Sequence, residues 1–172
     1  MKRSIVLLAA LAIGGVAALR APASAQTDAP AGPNYGVKLP AGYRDWRLVS
    51  VAHEEGSLHS FAMVLGNDLA IKAYRDKTLP FPDGAIVLSL HYSHMPSDEN
   101  NKVFGQAQSF VPGAPTNVQF MVKDSKKYAA TGGWAFAQFN DGKAVAPASL
   151  SACFPCHNQI KSRDLVFTRY AP

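Results

Sequence analysis

The chain has 172 residues, 48% of them hydrophobic, with 17 Lys and Arg against 12 Asp and Glu. That is enough apolar material for one domain with its own core. No Lys/Arg run with interleaved aromatics appears, so nucleic acid is a poor partner for it.

The N-terminus reads as a secretory signal peptide. Lys2 and Arg3 give a positive start, Ile5 to Leu19 is an uncharged apolar run of 15 residues, and Ala23 and Ala25 form an A-x-A site. Cleavage after Ala25 is expected, with export to the periplasm. The apolar run falls short of the roughly 20 residues a spanning helix needs. The remaining 147 residues carry 14 basic and 12 acidic side chains, so the overall pI of 9.3 overstates how basic the mature protein is. Residues 26–40, rich in Pro, Gly and Ala, read as a mobile leader, and 41–172 as the single folded domain.

In chain order, "WRLVSVAHEEGSLHSFAMVL" predicts two strands around a Gly-containing turn, with Trp46, Leu48 and Ser50 alternating against Arg47, Val49 and Val51. "NDLAIKAYRDK" predicts a helix capped by Asn67 or Asp68, and "LPFPDG" interrupts the chain after it. "AIVLSLHY" and "NVQFMVK" are strands, the second with Val118, Phe120 and Val122 in alternation. "GGWAFAQFNDGK" is a strand running into a turn at Asp141 and Gly142, and Ser151 to Asp164 is helical with Pro155 in its first turn. The pattern predicts an α+β fold: an antiparallel, β-sheet-rich single domain with a few short helices.

The only two cysteines lie in "CFPCH", Cys153 to His157. A disulfide is permitted in an exported protein, but so short a loop removes little unfolded-state entropy. A thioredoxin-like redox pair belongs near the start of a βαβ unit, not beside the C-terminus. A zinc site lacks a fourth ligand, since no second Cys/His cluster exists. C-x-x-C-H is the attachment signature of haem c, in which each thiol adds to a vinyl group and the histidine takes the iron. Cys153 and Cys156 are therefore expected to anchor one covalent haem c, with His157 as the proximal ligand to the metal.

The stretches "YRDWRLV", "LGNDLAIKAYRDKTLPFPDGAIV", "TGGWAFAQF" and "CFPCHNQIKSRDLVFTRY" resemble the cytochrome P-460 family, which includes the cytochromes c′-beta. The resemblance runs from about Tyr43 to Tyr170. It implies a homodimer whose five-coordinate haem c leaves one face open to small ligands. In the hydroxylamine-oxidising branch a lysine is bonded to the haem edge from the strand after "FPDG". Here no lysine occurs between Gly84 and Asn101, and Ser89 stands at the equivalent place. Lys72 lies four residues from both Asp68 and Asp76 on the predicted helix, as an ion-pairing surface residue would.

The distal pocket of such a haem is expected near Ser89, with His91 two residues along the same strand and Phe61 as an aromatic cap. Met63 and Met121 read as core filler rather than as a sixth ligand. His53 and His59 read as exposed turn residues, and Arg44, Arg47 and Glu54 as surface charge. The leading functional expectation is an open iron site that binds nitric oxide or a related gaseous or nitrogenous ligand. The alternatives are an enzyme oxidising hydroxylamine or detoxifying reactive nitrogen species, and a periplasmic electron carrier working with a redox partner protein.

Overall fold

Among the described residues, six strands, each hydrogen-bonded antiparallel to the next in sequence, make one meander in the order β1 to β6. They are β1 (Arg47–Glu54), β2 (Ser60–Gly66), β3 (Ile86–Pro96), β4 (Phe110–Lys123), β5 (Trp134–Asn140) and β6 (Lys143–Ala144). Three short α-helices accompany them among the described residues: α1 (Asp68–Asp76), α2 (Asp98–Phe104) and α3 (Cys153–His157). This is a computed structural model, and it describes residues 37–146, 150 and 152–171. The expected signal peptide and most of the leader lie outside the described residues. Among those described, no helix is long and apolar enough to cross a membrane.

The two-residue period of the strands divides the apolar residues between two cores. Leu65, Leu88, Leu90, Phe120, Ala137 and Phe139 form one, and Val37 and Leu39 from the end of the expected leader pack against it with Tyr43 and Trp46. Val49, Val64, Val87, Met121, Trp134 and Phe136 form the other, together with α1, Phe81, Leu165 and Val166. The side chains of the second core surround the candidate site.

Helix α1 starts where the sequence places it. Asn67 accepts from the Ala70 N–H at 3.0 Å as N-cap. The same oxygen accepts from Ile86 N at 3.0 Å, and the amide donates to the Gly84 carbonyl at 2.8 Å, so one side chain ties the helix to β3. At Gly66, just before the cap, a Cβ would lie 3.2 Å from Val49 and 3.3 Å from Ala70, so helix and sheet approach closely there and any side chain would have to push these neighbours back by a few tenths of an ångström.

Two expectations need correction. The alternation along β1 breaks at Val49: Leu48 pairs with Leu65 and Ser50 with Val64, so Val49 is an extra residue in a bulge. As a result Val49 is buried in the helix-side core while Ser50, its neighbour, also faces that side. The C-terminal helical segment is likewise not continuous. After α3 the chain tightens into a 3-10 turn, Asn158–Arg163, broken at Ile160 with φ −114° and ψ 42°.

Candidate functional site

Pro155 occupies the first turn of α3, where the missing N–H has no helical acceptor to lose. Residues four apart share a helix face, so Cys153 and His157 point the same way. Both line a cavity of about 450 Å³, while Cys156 is exposed. The two thiols are unpaired, and among the described residues no three His, Cys, Asp or Glu side chains converge as metal-ion ligands. Burial pushes the Cys153 thiol up, and neighbouring Cys156 adds to the rise. A redox-active C-x-x-C pair works through a lowered thiol pKa, the opposite direction.

His157 is held at one nitrogen and free at the other. Its Nδ1 lies 2.7 Å from the Leu165 carbonyl oxygen. A carbonyl only accepts, so Nδ1 carries a proton, and in the neutral ring Nε2 is the nitrogen with the lone pair. Burial pushes the imidazole pKa down, and the hydrogen bond to Leu165 opposes this in part. The ring sits between Phe136 and Phe167, with centroids 5.0 and 4.9 Å away. A neutral, oriented imidazole in an aromatic slot is what an axial iron ligand requires.

Most of the cavity wall is one face of the sheet. Ala62, Val64, Val87, Met121, Phe136 and Val166 make it apolar around Cys153 and His157, and Ser50, Ser89, Gln119, Gln138 and Arg169 add polar groups. Glu54 and His91 also line it, with Glu54 Oε2 at 3.6 Å from His91 Nδ1. The buried Ser60 hydroxyl donates to the same Glu54 oxygen at 3.1 Å. Burial pushes His91 below the usual imidazole value, and Glu54 opposes that shift.

Ser89 and His91 thus line the cavity with Cys153 and His157. Phe61 does not, and its expected role as a cap over the iron is corrected by strand phase. Ala62 and Val64 face the cavity, so Phe61 points through the other side of β2. There it packs at 5.2 Å from His53 and 5.4 Å from His94, and His94 in turn contacts His59 and Phe110. Met63 packs on the Leu88 core and Met95 is exposed. Met121 is buried at the cavity wall. Lys72 pairs with Asp76 on the surface of α1, and no lysine lines the cavity among the described residues.

Glu54 is the site residue the sequence reading passed over as surface charge. Its signal was present: it stands in phase with Ser50 and Ala52 and opposite Ser60 in the strand register. The Leu165 carbonyl carried no signal, because a backbone acceptor is placed by conformation and not by residue type.

A family model described as Cytochrome P460 matches residues 40–168, about three quarters of the chain. The chain belongs to the cytochrome P460 family. No curated protein matches it. Membership makes it a haem protein, and the β-sheet architecture is that of a cytochrome P460 domain. The residues present fit the group: an apolar cavity of a size usual for cofactors, an imidazole with a free Nε2, and a thiol on the same helix face.

Proposed function

We propose that this cytochrome P460 is an exported c-type haem protein with one covalent haem, and that it binds nitric oxide or a related small ligand at an open iron face. Cys153 and Cys156 would hold the group through thioethers and His157 Nε2 would take the iron. When bound, the haem supplies a redox-active iron with a coordination position for diatomic or nitrogenous ligands. The observation that carries the reading is the His157 arrangement. Its Nδ1–H donates to the Leu165 carbonyl, which fixes the tautomer and aims the free nitrogen, on a ring that lines the cavity beside Cys153.

The chain's own residues then act by shape and polarity. Apolar Ala62, Val64, Val87 and Phe136 exclude water and favour small uncharged ligands over ions. The polar corner of Glu54, Ser60 and His91 offers a proton acceptor to a ligand that carries N–H or O–H. That corner favours hydroxylamine as a second substrate class. The absence of a lysine among the described lining residues favours ligand binding over the lysine-linked oxidase chemistry. Homodimerisation, periplasmic location and a redox partner belong to the same reading and rest on the family resemblance and the signal-like N-terminus.

The test is the optical spectrum of protein matured in an exporting host, oxidised, reduced, and reduced with nitric oxide. A high-spin ferrous spectrum that changes stoichiometrically with nitric oxide is expected. A sharp, intense low-spin ferrous α-band unaffected by nitric oxide would contradict the open site and put Met121 or His91 on the iron as part of an electron carrier.

A further inference from the structure

We propose that Lys123 and Asp164 are positioning residues for the axial imidazole: their buried ion pair holds the left-handed turn at Asp164 and Leu165 that presents the Leu165 carbonyl to His157. The proposal rests on the haem reading and names what sets the ligand's geometry and basicity within it.

The turn is an unfavourable one. Asp164 has φ 49° and Leu165 φ 67°, two consecutive non-glycine residues in the left-handed region. Side chains there clash with their own backbone, so such a pair persists only where the surroundings over-determine it. Backbone bonds close the turn, from Asp164 N to the Lys161 carbonyl at 3.0 Å and from Leu165 N to the Ile160 carbonyl at 3.3 Å, and one carboxylate ties it to the rest of the fold. Lys123 Nζ donates to both Asp164 oxygens, at 2.7 and 2.9 Å, and the Phe81 N–H donates to Oδ2 at 2.8 Å. The ammonium also donates to the Gly132 carbonyl at 3.2 Å and lies 5.0 Å from the centre of the Trp134 ring. Lys123 ends β4 and pairs with Trp134 on β5, so the anchor of the turn is the sheet itself.

Space around the pair is shaped to match. A Cβ on Gly133, at φ 85°, would come within 3.2 Å of Lys123 Nζ, and one on Gly132 within 3.2 Å of the Leu165 side chain. Leu165 is buried, so its side chain wedges into the core while its carbonyl turns toward α3. The His157 Nδ1–H then donates at 2.7 Å. Outer partners of a ligating histidine fix ring orientation and raise ligand basicity. A buried ion pair is weak grounds for stability by itself, since apolar residues of the same volume often do as well. Its geometric result is a carbonyl held on the axial imidazole.

The experiment compares haem-loaded wild type with the double variant Lys123→Met/Asp164→Asn. The double variant removes one positive and one negative charge together, so a change in iron properties does not come from net charge. Two readouts are taken: the ferrous iron–imidazole stretching frequency by resonance Raman, and the reduction potential. Loosening the Leu165 carbonyl makes His157 a weaker donor. The stretch should therefore shift down and the potential should rise, because the ferric state loses more than the ferrous. Lys72→Met, which removes the exposed pair with Asp76, should shift neither. As a second variant, Asp164→Asn alone keeps an acceptor for Phe81 and is read by the iron–imidazole stretch only, which should shift down, because its changed net charge moves the potential by itself. A haem-loaded variant with wild-type stretch and potential overturns the positioning role and leaves the haem reading intact. Wild-type protein without haem overturns both.

Discussion

Removing Lys123 alone should be among the most destabilising single substitutions in the domain. Its side chain is 5% exposed and that of Asp164 is 10%, with 2.7 Å between the charged atoms. At an effective dielectric near 20, a contact that close is worth about 6 kcal/mol before desolvation is counted. Desolvation of both ions offsets much of that in the wild type. In Lys123→Met the offset turns against the fold, because Asp164 stays buried and, among the described residues, keeps the Phe81 N–H as its one hydrogen-bond partner. A loss of about 3–5 kcal/mol is expected, which for a domain of this size lowers Tm by roughly 10–20 °C. Adding Asp164→Asn removes the orphaned charge and keeps an acceptor for Phe81. The remaining deficit is then about 1–2 kcal/mol, the net worth of the charge-assisted hydrogen bonds lost with the pair. Chemical denaturation of the four proteins of the cycle, all in the same haem state, measures this. A single variant within about 1 kcal/mol of wild type, or a double variant no better than the single, would refute the argument, since either result means water screens the pair.

Further expectations follow from the same geometry. Asn67→Ala removes an N-cap acceptor and the bonds to Ile86 N and the Gly84 carbonyl, and should cost about 2 kcal/mol in denaturant unfolding; a cost below a few tenths would mean that water replaces all three bonds. His91 and His94 are both held below the usual imidazole value, in each case first by burial; Glu54 opposes this at His91, and Glu55 opposes it at His94, where His53 and His59 add to it. The unfolded chain therefore binds protons that the folded one does not, so stability should be full above the ordinary value of 6.5 and fall as pH drops below it. Unfolding free energies of haem-loaded protein from pH 7.5 to 5 check this, and a flat or rising profile would contradict it. Replacing Glu54 by Gln removes the group that raises His91, so the low-pH loss should persist while any proton acceptance from a bound ligand is reduced; ligand uptake against pH distinguishes the two.

Strand and helix existence was legible wherever period and punctuation agreed. Asn67 before a run of helix formers, Gly56 between two apolar runs, and Asp141–Gly142 after β5 all mark boundaries the structure keeps. The strands β3 and β4 run further than read, to Pro96 and from Phe110, because their outer halves pair with each other across an irregular register that composition does not reveal. Helix α2, capped by Ser97, went unread between them. At the site, the C-x-x-C-H spacing and the phase of Ser89 and His91 could be read from the chain alone. The side of β2 on which Phe61 lies depends on which face of the sheet holds the cavity, and only the packing of α1 and the C-terminal segment decides that. The Lys123–Asp164 pair spans 41 positions, and nothing local marks either residue as buried.

Peptide mapping of the haem tests the central claim most directly. Protein matured in an exporting host is denatured, extracted with acidic organic solvent, digested and mass-analysed. The account predicts that the haem stays with one peptide containing Cys153 and Cys156, both without free thiols, and that no lysine-containing peptide is attached. Haem lost to the solvent with both thiols free or joined in a disulfide would contradict it.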